Sequence, residues 1–173
     1  MVYIICYDWP STSGNHTGMR YLYEYIQKRN PELYKMYTFN MGRRFLDKGK
    51  RGKKISVFFT ALKLAMTYKS GDKFVLTEYL HRDSYQILFA KIIRFICPKA
   101  PIYAMVHLVP EKLERRYSKA QIKKSSRFVT EIVTLGSSLT CYLNKLGIEN
   151  VYTSFHYVDN NYYTPSANLY NRG

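Results

Sequence analysis

Short apolar runs alternate along the whole chain with segments in which apolar residues recur at helical spacing. Residues 2–7 form an almost unbroken apolar and aromatic run, the pattern of a strand buried on both faces. Residues 16–29 carry Met19, Leu22, Tyr23 and Ile26 at helical spacing, and Asn30-Pro31 stops that helix. A second strand is expected over 33–39, followed by a basic, glycine-spaced loop through Lys54. Residues 55–68 are expected to be helical up to Ser70-Gly71, 73–79 a third strand, and 83–96 a helix apolar around most of its circumference. Pro98 ends it. A fourth strand follows over 102–106. Pro110 then opens a helix, where its missing N–H costs nothing, and that helix is expected to run to about Lys124. A strand over 128–134, a helix over 137–146 closed by Gly147, and a strand over 151–155 complete the pattern.

Strand–helix alternation of this kind predicts an α/β domain. Specifically, it predicts a Rossmann-like, three-layer α/β/α arrangement around a parallel sheet of about six strands. The length of 173 residues suits one compact domain with a real core, and 46% hydrophobic content argues against disorder. No internal repeat occurs, but residues 166–173 turn polar and patternless, as a connection to a further unit would.

Charge changes the picture. A formal net charge of +15 on so small a chain predicts attraction to polyanions: nucleic acid, anionic lipid or phosphorylated substrates. The 18 tyrosines suit half-exposed strand positions and carbohydrate or protein contacts alike. Cys6, Cys97 and Cys141 are dispersed and odd in number, so neither a disulfide framework nor a zinc site is expected. A reduced, cytoplasmic setting fits them. The first residues lack the basic leader and apolar stretch of a signal peptide. No apolar run reaches the about 18 residues of a spanning helix, so any membrane contact is expected to be peripheral.

In parallel sheets with helical crossovers, ligands sit at the carboxyl ends of the strands. After the first strand comes Asp8-Trp-Pro-Ser-Thr-Ser-Gly-Asn-His-Thr-Gly18, in which Ser13, Gly14 and His16 precede a helix start. Glycine allows close backbone approach, and free N–H groups at a helix start attract phosphate. The same loop is equally a plain strand-to-helix turn, and it lacks the GxGxxG of a dinucleotide site. After the fourth strand stands His107, a residue able to donate to a sugar hydroxyl or stabilise developing charge. His81 follows the third strand and reads as structural. The four histidines have no short metal-ligand spacing, and no protein-bound metal or other cofactor is expected.

Two basic clusters stand out. One comprises Arg43, Arg44, Lys48, Lys50, Arg51, Lys53 and Lys54. The other places Lys112, Arg115, Arg116, Lys119 and Lys123 on one face of the helix after His107, with Leu113, Tyr117 and Ala120 turned inward. Such a face suits anionic lipid headgroups or an anionic acceptor. Nucleic acid is the less favoured partner, since no zinc finger or aromatic RNP-like strand pair is present.

Four features in order resemble one family. They are the glycine-containing loop after the first strand, His107 after the fourth, the segment Thr134-Leu-Gly-Ser-Ser-Leu-Thr-Cys-Tyr-Leu-Asn-Lys-Leu-Gly147, and the segment Val151-Tyr-Thr-Ser-Phe-His-Tyr-Val-Asp-Asn-Asn-Tyr-Tyr-Thr-Pro165. The last resembles the strand and N-G-V-D-x-x-x-F-x-P motif that close the N-terminal domain of retaining, nucleotide-sugar-dependent GT-B glycosyltransferases. His156-Tyr157 stand where that family has Asn-Gly, and Tyr163 where it has Phe. The resemblance implies an acceptor-side domain over 1–165, with 166–173 beginning an interdomain linker. It implies Gly14 near the donor phosphates, His107 near the donor sugar and Asp159 at the hinge. The co-substrate would be a nucleotide sugar. The acceptor would be a carbohydrate or a lipid-linked molecule at the inner face of the cell membrane. A basic nucleic-acid-binding α/β module without catalysis is the alternative.

Overall fold

A computed structural model describes residues 1–6, 25–26, 28–39, 49–81 and 85–154. In chain order the elements are β1 (Val2–Cys6), β2 (Tyr34–Thr38), α1 (Gly49–Thr67), β3 (Lys73–Leu76), α2 (Tyr85–Ile96), β4 (Ile102–Val106), α3 (Pro110–Glu114), α4 (Lys119–Ser126), β5 (Glu131–Thr134), α5 (Ser137–Lys145) and β6 (Val151–Thr153). Within the expected helix over 16–29, residues 25, 26, 28 and 29 are helical, and the Asn30 N–H closes on the Ile26 carbonyl at 3.1 Å.

The six strands form one parallel sheet in the order β2-β1-β3-β4-β5-β6. This is a Rossmann-like α/β fold. Successive strand residues point to opposite faces, and the core divides accordingly. Tyr3, Ile5, Phe74, Leu76, Ile102, Ala104 and Ile132 share one cluster with Val57 and Leu64 of α1, Phe89 and Ile93 of α2, Ile122 of α4 and Leu143 of α5. Those four helices therefore cover the same face of the sheet. Ile4 and Cys6 form a second cluster on the other face, with Val2, Tyr34 and Met36 against it. Phe74 is the hub of the larger cluster. Its ring stacks on Tyr3 at 5.3 Å and on Tyr68 at 6.0 Å, and meets Phe89 edge-on at 5.9 Å.

Two sequence expectations need correction. The stretch through Lys54 was expected to be a loop, but residues 49–54 are the first turns of α1. Lys and Arg are good helix formers, and Gly52 is buried within the helix. The helix expected from Pro110 to about Lys124 is two helices. Pro110 does open α3, but Ser118 then starts α4 with a capping box: its hydroxyl accepts from the Gln121 N–H, and the Gln121 side chain accepts from the Ser118 N–H. Consequently Ala120 is exposed, and Ile122 takes the inward position instead.

Candidate functional site at the carboxyl edge

From β1 the chain steps one way to β2 and the other way to β3, so the strand order reverses between β1 and β3. The crevice at such a reversal, outside the carboxyl ends of the strands, is where open α/β sheets bind ligands. The segment after β1, which carries Ser13, Gly14 and His16, lies outside the described residues. Residues 77–81 after β3 are described, and hydrogen bonds from four other parts of the fold tie them down.

Thr77, buried at the end of β3, donates from both its N–H and its hydroxyl to the Ile5 carbonyl of β1, each at 3.2 Å. Gln86, at the start of α2 and 2% exposed, locks the same corner. Its amide donates to the Ile5 carbonyl at 2.8 Å and its oxygen accepts from the Glu78 N–H at 2.9 Å. Tyr79 donates its N–H to the Met105 carbonyl of β4 at 2.8 Å and its hydroxyl to the Ser125 carbonyl of α4 at 2.9 Å. Burial raises the Tyr79 hydroxyl far above its ordinary range, so it serves as a neutral strut. Tyr117, between α3 and α4, donates its hydroxyl to the His81 carbonyl. Between these ties Leu80 takes φ +58°, the left-handed region that side chains beyond glycine avoid. Such a conformation costs about 1–2 kcal/mol, and the surrounding bonds hold it.

His107 stands just after β4, with an exposed side chain. Its Nε2 lies 2.6 Å from the Thr77 carbonyl oxygen. A carbonyl only accepts, so Nε2 is the protonated nitrogen and the ring orientation is fixed. The structure therefore joins His107 to the loop after β3, a link sequence alone does not show. Cys6 ends β1 beneath the same corner. Burial pushes its thiol up to about 12, the Thr77 hydrogen bond opposes this, and the Glu78 carboxylate adds a smaller upward push, which disfavours the thiolate.

Farther along the same edge, the buried Thr134 hydroxyl at the end of β5 lies 2.6 Å from the Thr140 hydroxyl of α5. The Thr140 hydroxyl in turn lies 2.6 Å from that of Thr153 in β6. The Ser154 N–H donates to the Thr134 carbonyl at 2.8 Å. This hydroxyl chain fixes the start of α5, with Gly136 at its N-cap, against β5 and the edge strand β6. It is the described part of the segment whose pattern extends to Pro165; His156, Tyr157, Asp159 and residues 166–173 lie outside the described residues.

The basic residues fare unevenly. Arg43 and Arg44 lie outside the described residues. Lys112, Arg115, Arg116, Lys119 and Lys123 are all exposed, but they belong to two short helices and their connection, not to one continuous helical face. Gln86, Thr77 and Leu80 were not singled out from sequence. The sequence does carry a signal for Gln86: it is a polar residue on a helix face otherwise lined by Tyr85, Phe89, Ala90 and Ile93.

Among the described residues, no group of three His, Cys, Asp or Glu side chains is arranged to hold a metal ion, and no helix is long and apolar enough to cross a membrane. No protein-family model matches the chain, and no characterised protein was found similar to it in sequence.

Proposed function

We propose that the chain is the acceptor-side domain of a retaining GT-B glycosyltransferase. It would help move a sugar from a nucleotide-sugar donor to a carbohydrate or lipid-linked acceptor. The observation that supports this most is the braced carboxyl edge. His107 follows β4, anchored through Nε2 to the carbonyl of Thr77, beside the reversal of strand order between β1 and β3. That is where this fold class binds its ligands. It is also where the sequence resemblance puts the donor sugar.

In this reading His107 is the catalytic residue, an oriented imidazole facing the donor sugar, and the Thr77 carbonyl and the Gln86 amide are its positioning groups. By the resemblance, Ser13, Gly14 and His16 would meet the donor phosphates. Residues 1–165 form the acceptor-side domain and 166–173 begin the connection to a donor-binding domain. That second domain would hold most of the nucleotide and supply the basic phosphate ligands. This chain alone is therefore not expected to turn over.

A second reading is favoured by one observation. The net charge of +15, with Lys112, Arg116, Lys119 and Lys123 exposed, suits a nucleic-acid-binding module. Isothermal titration separates the two. The first reading expects binding of a nucleoside diphosphate sugar, weakened by His107→Ala and competed by the nucleoside diphosphate. Tight binding of an oligonucleotide with no response to any nucleotide sugar would favour the second. Sugar transfer at an ordinary enzymatic rate by this chain alone would sink the half-enzyme reading.

A further inference from the structure

A surface helix of a parallel sheet should show one apolar face and one polar face. α1 does not. Val57, Ala61 and Leu64 face the core and are essentially fully buried. The opposite side carries Ile55, Phe58, Phe59 and Met66, at helical spacing and turned to solvent. Phe59 is 54% exposed and Met66 79%. α2 packs beside α1, and the Cys97 thiol donates to the Ala65 carbonyl at 3.7 Å where the two helices end together. There Phe95, 88% exposed, and Ile96 extend the same apolar surface. Large apolar side chains gathered this way on one layer mark a surface that meets something other than water.

The charges beside this surface limit what that is. The two helices together carry seven Lys or Arg and no Asp or Glu. Lys54 and Lys63 flank the apolar stripe of α1, and Lys91 is exposed on α2. Arg94 is committed elsewhere, to the Phe128 carbonyl at 3.3 Å and the Thr130 hydroxyl at 3.2 Å. α4, in the same helical layer, adds exposed Lys119, Lys123 and Lys124. A second copy of the chain pairing through this face would set like charges against each other with no acid to answer them. An anionic bilayer answers both halves of the pattern. Aromatic and Met side chains enter the acyl boundary, while lysines at the flanks reach the headgroups.

We propose that the outer face of α1 and α2 is a membrane-docking surface that lies in the interface of an anionic bilayer. This goes beyond the sugar-transfer reading and does not depend on it. It also moves the docking surface from the Lys112–Lys123 region alone to a face centred on Phe58, Phe59, Met66 and Phe95.

The test is sedimentation of the whole chain with sucrose-loaded vesicles at physiological salt. One set holds equal parts phosphatidylglycerol and phosphatidylcholine, the other phosphatidylcholine alone. Binding is expected to the first set, weakened by added salt and much lower on the second. The Phe58→Ser/Phe59→Ser double variant should lose at least about tenfold in partition, while keeping its thermal melt, since neither ring belongs to the core. Lys54→Glu/Lys63→Glu/Lys91→Glu should lose at least as much, at about fivefold per lysine near a charged surface. Lys73→Glu, on the opposite face of the sheet, should stay within about twofold. Phe59→Trp should bind as the parent does, with indole emission moving to the blue on anionic vesicles. The proposal is overturned if the parent ignores anionic vesicles, or if the folded double-serine variant binds as the parent does. It is also overturned if sedimentation velocity finds a dimer that the double-serine change dissociates while vesicles are ignored.

Discussion

Replacing Gln86 with Leu tests whether the carboxyl edge is braced as described. The change roughly keeps side-chain size and helix propensity, so the buried position stays filled. It removes two hydrogen bonds, but their loss is unequal. The Ile5 carbonyl still accepts from the Thr77 N–H and hydroxyl, each at 3.2 Å. The Glu78 N–H loses the Gln86 oxygen that accepted from it at 2.9 Å. An orphaned, partly buried donor costs about 1–3 kcal/mol, whereas a carbonyl that keeps other donors costs little. The net expectation is a loss of about 2 kcal/mol, or about 4–8 °C in melting temperature for a domain of this size. Urea titration followed by far-ultraviolet circular dichroism measures it, with an unchanged slope showing that the unfolded state is not altered. Gln86→Glu is the companion: it still accepts from Glu78, no longer donates to Ile5 and buries a charge, so its deficit should grow as pH rises. A Gln86→Leu midpoint equal to the parent's would refute the bracing and, with it, the fixed placement of Thr77 beneath His107.

Other outcomes follow from the same geometry. Asp72, 6% exposed, accepts from the chain's terminal amine at 2.9 Å, from the Lys69 N–H at 2.9 Å and from the Tyr3 hydroxyl at 3.4 Å. Burial pushes its carboxyl up, but those bonds and the ammonium charge outweigh burial and leave it below its usual range. A depressed carboxyl stabilises the fold above its unfolded pKa of about 4, and that stability is lost as pH falls further. Asp72→Ala should therefore cost about 2 kcal/mol at neutral pH, and the gap to the parent in thermal melts should close toward pH 2. Gly147, just past α5, has φ +76°, and a Cβ there would meet only Lys123 Nζ, at 4.0 Å. Gly147→Ala should thus lose about 1 kcal/mol from backbone strain alone, read in the same melts. With its thiol near 12, Cys6 should resist alkylation at pH 8 while the chain is folded, whereas exposed Cys141 reacts first; mass spectrometry of the labelled peptides checks the order.

Much of this fold is legible in the sequence because parallel sheets write themselves as apolar runs. The cores of β1, β3, β4, β5 and β6 fall inside the expected strands, and only their ends shift by a few residues. The strand order is not legible. Nothing in the apolar pattern of residues 34–38 says that β2 lies outside β1, and the reversal between β1 and β3 depends on that placement. The break between α3 and α4 was legible. Ser118-Lys-Ala-Gln121 is a capping-box pattern, masked by basic residues that continue a helical period across it. The start of α1 is not legible, because Gly49 and Gly52 look like loop residues while the Lys and Arg between and after them favour helix. His107 was legible as a strand-end histidine, but its bond to Thr77 joins residues 30 positions apart and needed the structure. The exposed side of α1 was hidden for the same reason. Apolar residues recur on both sides of α1, and only its position on the outer layer shows which of them are exposed.

A carboxyl edge that receives a nucleotide sugar around His107 should respond to it in solution. Two-dimensional NMR of the labelled chain, titrated with a panel of nucleoside diphosphate sugars, tests it residue by residue. One donor should shift the resonances of Thr77, Glu78, His107 and Gly14 together, and His107→Ala should weaken that response while leaving Gly147 and the other far positions unmoved. Shifts confined to Lys112–Lys123, or the same shifts produced equally by inorganic diphosphate and by a short oligonucleotide, would contradict it.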